Sequence, residues 1–370
     1  MKTLPFFALI LALALVAMVA SLGSCRRPET NNRTNRTESA ASAPRDAPGN
    51  DALELDTLFA IRREALAPSG IMIASASLFG LSGFARNKGG SIYAVFDNLA
   101  DNTQRVYQID ARGNFVQPTQ FPLLPLSQLE GIDVDGEGRF YLVSEDENRL
   151  ITYAPHPESP AQVITLKYAP ELYAQGWCNG GLEGIAVDPT EPNTVYLAKE
   201  RSGKNDCAHL GPPGTRVDRG AYSRYLLKVD LRNPGQEITY RQHAFLTAAA
   251  TDETSDYADL KMDTIGDKKY LYVLERLPDR ITKVDVTDPD HTRARVVGQY
   301  SFGHITRNAA GEQCLYNTNL KYGLAEALLL TEDRIWIGLD NNGRAAKGML
   351  AEKGVGTDPV VLVFKRPPGF

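Results

Sequence analysis

Cysteine is scarce: four in 370 residues are too few for a scaffold built on disulfides, so apolar burial must hold the fold. A basic excess is missing too. Forty Lys and Arg against 45 Asp and Glu leave a net charge of −5, which argues against nucleic acid as a partner, since a basic face is its usual footprint. After the N-terminus no apolar run approaches the roughly 20 residues of a spanning helix, which excludes a multi-span membrane protein. His156, His209, His243, His291 and His304 are scattered, and none stands at a metal-ligand spacing. Ser82, in Gly80-Leu-Ser-Gly, lacks the spacing of a nucleophile elbow. What is present is an ordinary globular proportion, 43% hydrophobic and 23% charged, which rules out wholesale disorder. The 31 glycines and 22 prolines favour a turn-rich chain.

The chain opens with Lys2, an apolar run from Leu4 to Ala20, and then Leu22-Gly-Ser-Cys25. This is the layout of a secretory signal, and its end resembles a bacterial lipobox in which Cys25 is acylated. Residues 1–24 are therefore expected to be a lipoprotein signal peptide. Residues 25–50, rich in Arg, Asn, Thr, Ser, Ala and Pro without apolar periodicity, are expected to be a tether. With Arg26 and not Asp behind Cys25, the expected address is the bacterial cell envelope, lipid-anchored at the outer membrane. The remaining domain, residues 51–370, carries a formal charge of −8.

One unit recurs five times. Ser82-Gly-Phe-Ala precedes Ile92-Tyr-Ala-Val-Phe-Asp97, and Glu130-Gly-Ile-Asp-Val precedes Phe140-Tyr-Leu-Val-Ser-Glu145. Glu183-Gly-Ile-Ala-Val precedes Val195-Tyr-Leu-Ala-Lys-Glu200, Ala258-Asp-Leu-Lys-Met precedes Tyr270-Leu-Tyr-Val-Leu-Glu275, and Glu326-Ala-Leu-Leu-Leu precedes Ile335-Trp-Ile-Gly-Leu-Asp340. The separations from first residue to closing acid are 15, 15, 17, 17 and 14. Each segment is short, β-branched or aromatic, and bounded by turn formers, which predicts a hairpin of strands. Third strands are expected at Arg105–Asp110, Arg149–Tyr153, Tyr225–Asp230, Ile281–Asp285 and Val360–Phe364. Fourth strands are expected at Phe115–Phe121, Ala161–Leu166, Glu237–Phe245 and Ala294–Phe302. Four antiparallel strands repeated around a ring make an all-β fold, a β-propeller. The fifth unit lacks a fourth strand, and Leu53–Ile61 can supply it and close the ring. Five blades are expected; a sixth assembled from Ile71–Leu78 and insertions is the alternative.

In a propeller, the start of the first strand and the end of the second emerge on one face. Glu130, Glu183, Glu326, Asp97, Glu145, Glu200, Glu275 and Asp340 are thereby expected to ring one mouth of the channel. Ala258 departs from the glutamate position, with Asp259 one place out of phase. Arg201 and Arg276 directly follow two of the acids and neutralise part of the ring. Cys178 and Cys207 fall on the mouth side of the third blade. With Cys25 acylated, they are the expected disulfide, leaving Cys314 free.

The strings Leu81-Ser-Gly, Leu129-Glu-Gly-Ile, Leu182-Glu-Gly-Ile-Ala, Ala258-Asp-Leu, Leu274-Glu-Arg276 and Asp340-Asn-Asn342 resemble the phytase-like family, known for esterase-like activity of phytase, over residues 74–366. The propeller family regulated by a quorum sensor shares the Leu-Glu-Gly-Ile pattern and is a close second. The resemblance implies a secreted propeller with a calcium-dependent hydrolytic role.

Two readings of the acids stay open. As a metal site, Glu130, Glu183, Glu326, Glu145, Glu200 and Asp340, with Asn341 nearby, supply the oxygen ligands calcium takes, and Glu183 serves as general base for a metal-activated water. As structure, the same acids cap strand ends and pair with Arg201, Arg276, Arg149 or Arg280. The corresponding functions are a calcium-dependent hydrolase of small phosphate or carboxylic esters, and a non-catalytic envelope propeller that binds a ligand or protein partner. The Gly- and Pro-rich loop Arg201–Ser223 serves either as a lid or as a docking element. Nothing in the sequence sets an oligomeric state, and the only membrane contact expected is the lipid anchor.

Overall fold

The computed structural model describes residues 50–61, 80–97, 106–116, 128–144, 149–154, 161–168, 182–199, 225–232, 237–238, 257–276, 279–288, 294–317, 325–341 and 343–370. The expected signal peptide, all but the last residue of the tether, Ile71–Leu78, the loop Arg201–Ser223, and Cys25, Cys178, Cys207, Glu145, Glu200 and Arg201 lie outside the described residues.

Blade one is β3 (Leu81–Arg86), β4 (Ile92–Phe96) and β5 (Tyr107–Ile109), extended by a bridge from Ile109 to Phe115. Blade two is β6 (Leu129–Val134), β7 (Phe140–Ser144), β8 (Arg149–Tyr153) and β9 (Gln162–Thr165). Blade three is β11 (Leu182–Val187), β12 (Thr194–Lys199) and β13 (Tyr225–Asp230). Blade four is β15 (Tyr257–Ile265), β16 (Lys268–Glu275), β17 (Arg280–Asp285) and β18 (Arg295–Ser301). Blade five is β19 (Ala325–Leu330), β20 (Arg334–Leu339), β21 (Val360–Lys365) and, as its outermost strand, β2 (Leu55–Ala60). The strand from the N-terminal side thus closes the ring as expected, with Leu55 opposite Phe364 and Ala60 opposite Val360.

Each blade is sandwiched between two others, which explains why the strands read as nearly continuous apolar runs. Along β7, Tyr141 and Val143 pack with blade three, whereas Phe140 and Leu142 pack with blade one. The five buried clusters correspond to the five blade interfaces, including the closing one, where Phe84 of blade one meets Trp336 and Val361 of blade five. Inner strands touch in the cyclic order β3, β6, β11, β15, β19 and back to β3. The five-bladed alternative is the observed one.

The glycine of the Leu-Glu-Gly-Ile string has a steric cause. A Cβ on Gly131 would lie 2.6 Å from Glu183 O, and one on Gly184 would lie 2.6 Å from Asp259 Cα, both on the neighbouring inner strand. In blades one to three the inner strand meets its neighbour backbone to backbone at this position, and there only glycine leaves the room, whereas blades four and five carry Asp259 and Ala327 at the same register.

Three features depart from expectation. β1 (Asn50–Ala52) adds in parallel to the edge of β18, so the N-terminal segment straps blade four before it closes blade five. The expected fourth strand of blade three, Glu237–Phe245, does not pair with β13 where it is described. Its β14 (Glu237–Ile238) pairs in parallel with β10 (Lys167–Tyr168), the continuation of blade two, so a cross-blade partner won over the in-blade edge. Cys314, expected to be free, is disulfide-bonded, with its partner outside the described residues. It lies in the connection from β18 to β19, which runs at the mouth like the segments assigned to the other cysteines, so the face alone does not select the pair.

Candidate functional site

Every inner strand carries a bulge at its second residue. Pairing slips between Leu81 and Gly83, Leu129 and Gly131, Leu182 and Gly184, Tyr257 and Asp259, and Ala325 and Ala327. The bulged residues are Ser82, Glu130, Glu183, Ala258 and Glu326, so one backbone irregularity re-aims the same position in all five blades. Asp259 takes the glycine position in blade four, in agreement with the out-of-phase reading.

The second strands correct the expected ring. Val95, Val143, Ala198, Leu274 and Gly338 are register equivalents, each opposite the third residue of its inner strand. Two residues on stand Asp97, Glu145, Glu200, Arg276 and Asp340. Glu275 is therefore one place short of the ring position, and blade four places a cation there. Glu275 is buried at 2% exposure and accepts a bidentate pair from Arg280, 3.0 Å from Nε and 2.8 Å from Nη2, and a hydrogen bond from the Thr282 hydroxyl. It locks its own hairpin.

Arg276 reaches both neighbours. Its Nη2 donates to Glu183 Oε2 of blade three at 3.2 Å and to Glu326 Oε2 of blade five. The three side chains are 14%, 5% and 15% exposed. The turn that carries it is braced at its far end by Asp279, in a left-handed backbone (φ 57°), whose carboxylate accepts from Thr306 Oγ1 at 2.6 Å and from Arg307 Nε. Burial raises the Asp279 pKa, and Arg307 opposes that effect.

Other predicted residues serve the backbone. Asp340 accepts the Gly80 N–H at 3.0 Å across the closing interface, and Asp97 donates its own N–H to Gly80 O at 2.8 Å. Gly80, at φ 75°, leaves no space for a Cβ, because the Asp97 carboxylate occupies that position. Asn341 is fully buried, donates its amide to Thr357 O and accepts from Gly343 N at 2.9 Å. Glu130 is buried at the rim of blade two.

Beneath the mouth lies a group that the sequence did not single out. Lys261 Nζ contacts Asp259 Oδ1 at 3.0 Å, Leu260 O at 2.7 Å and, across the channel in blade two, Ile132 O at 3.3 Å. Asp259 also accepts Leu328 N of blade five at 2.8 Å, and Asp133 accepts Val187 N of blade three at 2.8 Å. Burial pushes the Asp259 carboxyl up to about 7 and raises that of Asp133, with Lys261 pulling both down. The ammonium ties blades two and four. Its only sequence signal was a lysine interrupting an apolar inner strand.

These commitments bear on calcium. The carboxylates of Glu183 and Glu326 flank a guanidinium, Asp340 is engaged with Gly80, and Asn341 with its own loop. Among the described residues no three His, Cys, Asp or Glu side chains form a group that could hold a metal ion. The described donor set does not fit a calcium cage.

A gluconolactonase from Xanthomonas campestris matches with a TM-score of 0.39 and 13% identity, covering 77% of this chain and 72% of that one. The WD40 repeats of RRP9 match with a TM-score of 0.36 and 9% identity, covering 77% and 67%. No curated protein matches. The family model described as esterase-like activity of phytase matches residues 77–343, and the chain belongs to this phytase-like family.

Proposed function

We propose that the protein is an envelope-tethered ester hydrolase that works at the mouth of its channel. The observation that carries this reading is the Glu183–Arg276–Glu326 group, in which a carboxylate and a guanidinium from different blades stand in contact on one face. Glu183 takes the proton of a water as its oxygen attacks the ester carbonyl carbon. Arg276 faces the oxygen on which negative charge develops, and Glu326 keeps Arg276 oriented. On collapse the bond to the leaving alcohol breaks, and Glu183 returns the proton to the alcohol oxygen. No step passes through calcium. Two carboxylates and one guanidinium leave a net negative group, so an uncharged carboxylic ester suits it better than a phosphate monoester.

A panel of p-nitrophenyl carboxylic and phosphate esters tests the proposal. Turnover of the carboxylic esters is expected, with Glu183→Gln lowering kcat about 10²–10⁴-fold while the protein stays folded. Full turnover in that variant, or none in the parent with any ester, defeats the hydrolase. A non-catalytic binding propeller is the second reading, favoured by the engagement of Asp97, Asp340, Glu275 and Asn341 in structural contacts.

The location is part of the proposal. The Leu-Gly-Ser-Cys sequence after an apolar run supports acylation at Cys25, followed by a tether, the propeller domain and an outer-membrane address. A Cys25→Ser variant is expected in the soluble periplasmic fraction, and continued membrane retention would speak against a lipid anchor.

A further inference from the structure

We infer that Arg276 is the resident cation of the channel mouth, standing where a divalent ion would otherwise balance Glu183 and Glu326, so that the site is built to be metal-independent. Three observations converge on this. First, strand register places Arg276 at the position that Asp97 and Asp340 fill in blades one and five, and the residues standing at the same count along the sequence of blades two and three are Glu145 and Glu200. The exchange of charge is confined to one blade, and that blade also lacks the inner-strand acid, having Ala258 instead. Blade four therefore contributes only positive charge at these two positions, while its neighbours contribute Glu183 and Glu326.

Second, a single nitrogen, Arg276 Nη2, contacts one carboxylate oxygen from each neighbour. Two carboxylates brought so close repel unless a proton or a cation intervenes. Here the cation is covalently part of the chain.

Third, the arginine is held in advance of any ligand. The ends of its turn are pinned by two separate carboxylate–guanidinium pairs, Glu275 with Arg280 and Asp279 with Arg307. The segment that supplies Arg307 follows β18 and includes Thr306, a second donor to Asp279. Glu275 and Asp279 are thus positioning residues for Arg276, which gives a physical role to an acid whose register excludes it from the ring. A metal ion leaves when chelated, whereas a guanidinium fixed in this way does not.

The test is a set of thermal melts of the purified full-length protein in EDTA, in millimolar calcium, and in magnesium at the same ionic strength. The parent is expected to melt at one temperature in all three. Arg276→Met, which keeps much of the volume and removes the charge, is expected to melt lower in EDTA and to regain stability in calcium. At about a hundred times its dissociation constant, calcium multiplies the folded-to-unfolded ratio about a hundredfold. Arg276→Lys keeps a charge and is expected to stay insensitive to calcium. Adding Glu183→Gln and Glu326→Gln to Arg276→Met is expected to abolish the calcium response.

A calcium-dependent rise in the parent overturns the inference, whether or not the variants fold. So does an Arg276→Met protein as stable as the parent and indifferent to calcium. The melts do not read ester turnover, so absence of turnover defeats the proposed hydrolase while leaving this inference standing, and a calcium response in the parent does the reverse.

Discussion

Replacing Gly184 by alanine inserts one Cβ between two inner strands. That atom would lie 2.6 Å from Asp259 Cα and Leu260 N and 2.7 Å from Asp259 C, whereas ordinary contact begins at 3.4 Å. The obstructing atoms are backbone, held in β15 by pairing with β16, so no side chain can swing away. Relief requires blades three and four to separate by about 0.8 Å at the channel, and overpacking on this scale costs roughly 3 kcal/mol, the upper end of the usual range. For a domain of this size, with an unfolding entropy of about 2.1 cal/mol/K per residue, that is an apparent melting-temperature loss of about 4–5 °C. Gly131→Ala meets Glu183 O at 2.6 Å and should behave alike, whereas Gly83→Ala meets Glu130 O and Ile132 N at 3.0 Å and should cost less. Gly266→Ala is the control, because its φ of 65° strains any side chain but nothing lies within 4 Å of the added atom. It should lose only about 1–2 kcal/mol. Thermal and urea unfolding of the four variants gives the ranking directly. If Gly184→Ala is no worse than Gly266→Ala, the inner strands do not meet backbone to backbone, and the steric account of the repeat is wrong.

Phe370 is 2% exposed and packs on Tyr272 and Tyr300, with ring centroids 4.7 and 4.5 Å away, so Phe370→Ala should lose about 3–5 kcal/mol in urea unfolding. An unchanged midpoint would mean that the final segment is not docked. Asp259 has its pKa raised from 3.8 to about 7, so the folded protein retains a proton that the unfolded chain releases above about pH 4. Its contribution is full below that pH and is lost as pH rises through about 7, up to roughly 4 kcal/mol in all. Urea midpoints measured from pH 4 to 8 should fall, and Asp259→Asn should flatten the slope; a parallel slope in the variant would assign the pH dependence elsewhere. Non-reducing peptide mapping should recover Cys314 in a disulfide-linked peptide, and alkylation of Cys314 without reductant would contradict the pairing.

The sequence by itself pointed to five blades while leaving a sixth open, and it determined most strand positions and the closure of blade five by the segment around Leu55–Ala60. Those features follow from short-range pattern: apolar runs bounded by turn formers, repeated at nearly constant spacing, with one strand missing at one end and an unassigned one at the other. Tertiary structure decided what depended on distances between blades. A spacing of 17 residues in blade four made Glu275 resemble a ring acid, but the bulge and the pairing of Leu274 with Asp259 moved that position to Arg276. The contact of Lys261 with Ile132 joins residues 129 positions apart across the channel, and the strap of β1 on β18 joins Ala52 to Ser301. Neither has a local signature, because a lysine in an apolar strand and a three-residue strand acquire their roles only from partners in other blades. The disulfide of Cys314 is of the same kind: which thiols meet at the mouth depends on how the inter-blade connections lie over it, and the order of residues along the chain does not encode that choice.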